Sequence, residues 1–279
     1  MKSVTAAVLF TVLSISCYSQ DKDHPGTSTA GVKFSTVPVV SVLGEDTSYQ
    51  NALSISPFIS LRSKKGWGVS YSPSIVTSGQ RSGLYMHSLS GGYEQYGGKT
   101  FDVAFNYTHH FFTNKTSVPY SSLNNEIYCS FAFTKTWLKP SLSASIGFGK
   151  DSTGLTSHDI GLAAGVSHDL SWDDVGIFSS VDVTPSLMLN AGTNGYFSFL
   201  QTSAYLSHNR HFAKIVKKHG RTNSTTASFD LANLEFNMET SLEIGAFSIR
   251  PVGSIVFPLR GGTDQNIFAY GELTFQYAF

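Results

Sequence analysis

The final stretch, Asn266-Ile267-Phe268-Ala269-Tyr270-Gly271-Glu272-Leu273-Thr274-Phe275-Gln276-Tyr277-Ala278-Phe279, separates into two unlike faces when every second residue is taken. Ile267, Ala269, Gly271, Leu273, Phe275, Tyr277 and Phe279 make one face; Tyr270, Glu272, Thr274 and Gln276 belong to the other. Successive side chains of a strand point to opposite sides, so this is a β-strand with an apolar surface backed by a polar one.

The same period of two runs upstream. In 101–112, Phe101, Val103, Phe105, Tyr107 and Phe111 oppose Asp102, Asn106, Thr108 and His110. In 125–137, Ile127, Cys129, Phe131, Phe133 and Trp137 oppose Glu126, Ser130, Thr134 and Thr136, and in 140–149 Leu142, Ala144, Ile146 and Phe148 oppose serines. In 156–170, Ile160, Leu162, Ala164, Val166 and Leu170 oppose Ser157, Asp159, Ser167 and Asp169. Alternation over a whole chain predicts an all-β fold.

Whether that fold is a soluble sandwich or a membrane barrel turns on the polar faces. A sandwich shows them to bulk water and fills them with Lys and Glu; here they are mostly Ser, Gly, Thr and Asn with sparse carboxylates, as suits a confined lumen. Charged residues are 14% of the chain, against about 25% in ordinary soluble proteins, while there are 21 Phe and 13 Tyr. Aromatic residues near strand ends, such as Phe101 with Phe111, fit girdles at two membrane interfaces.

The N-terminus carries Lys2, an apolar run from Val4 to Ile15, and then Ser16, Cys17, Tyr18, Ser19 and Gln20. That is the layout of a secretory signal peptide, and the run is too short to span a bilayer. The expected organisation is a signal over 1–19, a flexible segment over 20–30 and one barrel over 31–279. Cys17 lies in the signal, so Cys129 is unpaired in the mature chain, and neither a disulfide nor a cysteine zinc site is expected. A lipid-modified Cys17 is the second reading of this region, but Ser14 stands where a lipoprotein signal usually has Leu. Lysine and arginine balance aspartate and glutamate at 19 each, so no nucleic-acid partner is expected.

Strands are predicted near 31–43, 51–62, 66–77, 83–96, 100–112, 125–137, 140–149, 156–170, 174–188, 195–206, 211–218, 228–239, 242–256 and 266–279. This is an antiparallel up-and-down transmembrane barrel of about 14 strands. Short turns at 63–65, 97–99, 138–139, 172–173 and 240–241 then all fall at the end bearing both termini. The alternative is 12 strands, reached by dropping 31–43 and the poorly alternating 211–218. Pro38, Pro57, Pro73, Pro185 and Pro251 stand against the proposed strands, since proline removes a ladder hydrogen bond; bulges are the expected accommodation.

Leu273, Phe275, Tyr277 and Phe279 at alternate C-terminal positions resemble the signature strand of Gram-negative outer-membrane proteins, which the barrel assembly machinery reads. The short signal ending in Ser-Gln and the Ser- and Tyr-rich strands look like outer-membrane barrels common in Bacteroidota. The resemblance implies an outer-membrane location and contact with lipid and lipopolysaccharide, and it carries no activity over to this chain.

Parity assigns the inner face. Its candidates are Arg62, Glu94, Asp102, Asn106, His110, Glu126, Asp159, Asp169, Asp182, Glu235 and Glu272. They make either a hydrogen-bonded interior that stiffens the barrel or a water-filled pore favouring cations and polar neutral solutes. The tripeptides Ser157-His158-Asp159 and Ser167-His168-Asp169 look like hydrolase triads but place adjacent residues on opposite faces, which no triad allows. His110 has Asn106 and Asp102 on its face, turned away from lipid. No enzyme, cofactor or metal is therefore expected. Arg210, Lys214, Lys217, Lys218 and Arg221 form a dense basic patch, read as a solvated rim or as a contact for anionic lipopolysaccharide or an acidic partner. The functional expectation is a passive channel for small polar solutes; the alternative is a non-conducting barrel for adhesion, scaffolding or partner binding.

Overall fold

A computed structural model describes residues 26–43, 46–77, 82–98, 100–113, 123–150, 156–193, 229–259 and 267–279. The strands are β1 (Gly26–Leu43), β2 (Asp46–Ser63), β3 (Trp67–Val76), β4 (Gly83–Gln95), β5 (Phe101–Phe112), β6 (Asn125–Phe133) and β7 (Lys139–Lys150). They continue as β8 (Thr156–Ser167), β9 (Leu170–Val175), β10 (Phe178–Gly192), β11 (Asp230–Ile244), β12 (Phe247–Pro258) and β13 (Phe268–Ala278). Every pairing is antiparallel, and β13 pairs with β1 through Thr29↔Ala278 to Ser35↔Glu272, which closes the sheet.

The wall has 12 strands, with β9 as an extra piece. After Ser167 the chain breaks ladder for His168 and Asp169, then continues as β9 along the lower half of β10. β10 pairs directly with β11 from Ser180↔Glu243 to Gly192↔Asp230. The described strands thus close the wall by themselves; the expected strands at 195–206 and 211–218, and the basic patch 210–221, lie outside the described residues. The fourteen-strand expectation therefore gives way to twelve, but by loss of these two segments, while 31–43 stays in the wall as part of β1. Removing two consecutive strands preserves parity, so the turn ends stay together.

Two of those turns move. Trp172 and Asp173 lie within β9, and Thr240 and Ser241 within β11; the reversals occur at Gly176-Ile177 and Gly245-Ala246. Gly176 has φ 64° and Gly245 φ 59°, the left-handed backbone that a two-residue hairpin loop requires. Polar residues alone were the weaker signal. Gly245→Val is expected to destabilise the barrel by about 1–2 kcal/mol, the cost of placing a side chain in that conformation, measured by chemical unfolding of the protein folded in micelles.

Prolines keep a ladder on one side only. Pro57 pairs with Val32 and Pro73 with His87, but between β2 and β3 the ladder skips from Ile55↔Ile75 to Ile59↔Tyr71. Pro185 pairs with Met238 and sits opposite the β8–β9 break, where its carbonyl accepts from the His168 amide at 3.1 Å. Pro251 pairs with Leu273 and lies in a gap of the β11–β12 ladder between Glu239↔Val252 and Leu242↔Ile249. Pro38 pairs with Asn51 beyond the last β1–β13 pair. Each missing N–H thus points where no partner strand asks for it. The bulges occur elsewhere, between Ser74 and Ile75 and between Asn190 and Ala191.

Burial is inverted relative to a soluble protein. Leu61, Val69, Leu89, Phe105, Leu142, Leu162 and Leu187 are exposed on the outer face, while Ser54, Ser72, Ser88, Ser145, Asn190 and Glu235 are buried inside. Only lipid satisfies such a surface, and a closed sheet leaves few backbone groups unpaired within it. Among the described residues no helix is long and apolar enough to cross a membrane; the crossing is made by strands. A small apolar cluster of Ala52, Val76, Tyr85 and Met86 packs together near the loop end, with Phe112 against it. In β13 the expected apolar face is the outer one: Phe275 packs between Phe34 at 6.0 Å and Phe247 at 6.4 Å. Past the strand, the Phe279 amide donates to the Ser28 carbonyl at 2.9 Å. Cys129 is free and exposed on the outer face.

Candidate lumen and turn-end cavity

Three polar networks cross the inner face from strand to strand. On β2, β4 and β5, Arg62 forms an ion pair with Glu94, whose other oxygen accepts from Asn106 Nδ2 at 3.1 Å. The Glu94 side chain is fully buried, so the guanidinium is its main compensation. Gly92 lies across from Asn106, and a Cβ there would meet Asn106 Oδ1 at 2.1 Å and the Phe105 carbonyl at 2.2 Å. The glycine makes room for the amide that holds Glu94.

On β10, β11 and β13, Asn190 Nδ2 donates to Asn233 Oδ1 at 2.7 Å and to Glu235 Oε2 at 3.0 Å. Tyr270 OH donates to the second oxygen of Glu235 at 2.5 Å. A carboxylate with no exposure is thereby held by two neutral donors, one from the adjacent β10 and one from β13 beyond β12.

On β4, β5 and β6, Ser88 Oγ lies 2.9 Å from His110 Nδ1, and His110 Nε2 lies 3.7 Å from a Glu126 oxygen. The connectivity is that of a serine–histidine–carboxylate relay, yet Ser88 and His110 are each only 1% exposed. The row therefore presents no exposed hydroxyl and runs as a buried contact across β4, β5 and β6. The tripeptide candidates split as parity requires: His158 is exposed on the outer face while Asp159 is buried inside. His168 sits in the β8–β9 break, its ring tilted against Trp137 at 4.8 Å and donating from Nδ1 to the Trp137 carbonyl at 2.8 Å.

The remaining inner-face candidates are placed differently from one another. Asp102 is half-buried and accepts from the Gly98 amide at 3.2 Å, bracing the β4–β5 turn. Asp182 is half-buried and accepts from Ser171 on the β9–β10 extension. Asp169 departs from the expectation: it falls in the break, is exposed, pairs with Lys139 and accepts from Thr184 Oγ1 at 3.1 Å. The break between β8 and β9, opposite Pro185, takes it off the alternating face.

A cavity of about 340 Å³ opens at the turn end between β1, β2, β11, β12 and β13. Arg62 and Glu272 line it, joined by charged residues the sequence reading omitted: Lys33, Glu239, Glu243 and Arg250. Lys33 is 8% exposed and lies 3.5 Å from Glu272. Register places Lys33, Thr274 and Arg250 in one cross-strand row, with Glu272, Val252 and Glu239 in the adjacent row. Lys33 was readable from its position between Val32 and Phe34. Glu239 was readable too, in phase with Glu235 within 228–239, whereas Glu243 was hidden because a turn placed at 240–241 restarts the alternation beyond it. Among the described residues, no group of three or more His, Cys, Asp or Glu is placed to hold a metal ion.

An outer membrane channel from Pseudomonas putida F1 superposes with a TM-score of 0.50 over 93% of this chain and 99% of that one, at 8% identity. This chain shares its fold with an outer-membrane channel. At such identity the likeness concerns architecture alone. The KdgM porin has a TM-score of 0.46 at 10% identity, covering 90% of this chain and 99% of its own. The translocator domain of the autotransporter NalP from Neisseria meningitidis has 0.46 at 12% identity, covering 100% and 97%. No protein-family profile and no curated protein sequence matches the chain.

Proposed function

We propose that this chain is a passive outer-membrane channel for small polar solutes, with a preference for cations. The observation that carries the reading is the inner face itself: hydroxyls and carboxylates from neighbouring strands lead to a turn-end cavity lined by both signs of charge. Glu94, Asp102, Glu126, Asp159, Asp182, Glu235, Glu239, Glu243 and Glu272 outnumber Lys33, Arg62 and Arg250 on that face, which favours cations in a narrow aqueous path. Export through the signal at 1–19, the Bacteroidota-type signature and recognition of Leu273, Phe275, Tyr277 and Phe279 by the barrel assembly machinery belong to the same reading. It puts both chain ends and the short turns on the periplasmic side, with the longer links towards lipopolysaccharide.

The rival is a non-conducting barrel that serves as a scaffold or partner subunit, favoured by the cross-strand networks that hold Glu235 and Glu94. Recording the refolded protein in a planar bilayer separates them. Discrete, voltage-tolerant conductance steps are expected; a silent membrane at every voltage and salt would leave the scaffold reading in place.

A further inference from the structure

The β2–β3 contact is unlike the other interruptions because it has proline on both strands. Ser56, Pro57 and Phe58 on β2 and Ser72, Pro73 and Ser74 on β3 make no ladder with each other. By register Pro57 and Pro73 stand opposite, and neither has an N–H to give. Side chains from the inner face bridge the gap instead: Ser56 Oγ and Ser74 Oγ are 2.8 Å apart, and Ser72 Oγ donates to the Pro57 carbonyl at 2.9 Å. Hydroxyls can exchange such bonds for water from the lumen, whereas ladder bonds in lipid have no substitute.

The gap also has a different surface on each side. Inside, Ser56, Phe58 and Ser72 line the turn-end cavity, so the cavity reaches the wall where its backbone pairing is missing. Outside, Leu53, Leu61, Val69 and Tyr71 are exposed around it, so it opens within the apolar belt. A bare ion gains nothing by leaving sideways into hydrocarbon. A solute with a charged head and a hydrocarbon chain could keep its head by the Lys33–Glu272 pair and Arg250 while its chain passes Phe58.

The geometry points to a lateral portal between β2 and β3, through which the turn-end cavity exchanges a single-chain amphipathic solute with the bilayer. The proposal rests on the cavity being a solute path, and goes beyond passage along the barrel axis. Its test uses Thr274→Cys, on the cavity wall, in a Cys129→Ala background reconstituted in liposomes. Labelling of that thiol is followed by mass spectrometry with two reagents, a dodecyl maleimide confined to the bilayer and a membrane-impermeant sulfonated maleimide.

Both reagents are expected to react. Pro57→Ala with Pro73→Ala restores two donors and should slow dodecyl labelling about tenfold, the factor that one or two added ladder bonds supply, with sulfonated labelling unchanged. Should that variant not fold, the Ser56→Cys/Ser74→Cys pair, oxidised to a disulfide across the gap, should slow dodecyl labelling in the same way, with recovery on reduction. Dodecyl labelling that is absent, or indifferent to both closures, overturns the portal. Failure of the sulfonated reagent alone overturns the aqueous channel and leaves the portal standing.

Discussion

Arg62→Met is expected to destabilise the folded barrel by about 3 kcal/mol, because it removes the counter-charge of a carboxylate that is fully buried. Asn106 continues to donate one hydrogen bond, but one neutral amide does not replace a guanidinium. The charge on Glu94, rather than lost packing of Arg62, is the source of the penalty. Glu94→Gln combined with Arg62→Met should therefore recover most of the loss, a non-additivity that a double-mutant cycle reads directly. Denaturant unfolding in micelles is the measurement. A loss below about 0.5 kcal/mol for the single variant would place this pair with ordinary solvated surface ion pairs.

Charge reversal in the cavity should change what the channel admits. Lys33, Arg62 and Arg250 there face Glu239, Glu243 and Glu272, so the cavity is balanced while the lumen above it is acidic. Glu239→Lys with Glu243→Lys leaves Glu272 as the remaining carboxylate of that set against five cations. The reversal potential across a salt gradient is expected to change sign, from cation-preferring to anion-preferring, most strongly at low ionic strength where screening is weakest. Neither side chain is held by a hydrogen bond or ion pair among the described residues, so folding should be retained. A potential that does not move would show that ions do not pass the cavity.

Arg62, Glu94 and Asn106 were assigned to the inner face from alternation, since parity survives any uncertainty about where a strand ends. Their partnership was not legible: the residues lie on β2, β4 and β5, and only the stagger between strands decides which side chains meet. The Ser88–His110–Glu126 row makes the same point, because alternation grouped His110 with Asn106 and Asp102 on its own strand, whereas its contacts come from the two neighbours.

Alternation alone is enough to read this chain as a closed, membrane-spanning antiparallel barrel and to sort most of its strand residues between lipid and lumen. That information is local, carried by the two-residue period and readable as plainly in Leu273 to Phe279 as anywhere. The number of strands, the register and the tolerance of proline were decided only in the tertiary structure. Closure of β10 on β11 is a contact between segments far apart in the chain, and no local pattern around 195–218 reports it. Likewise, whether Pro57 breaks a strand depends on what lies opposite, and here it is Pro73.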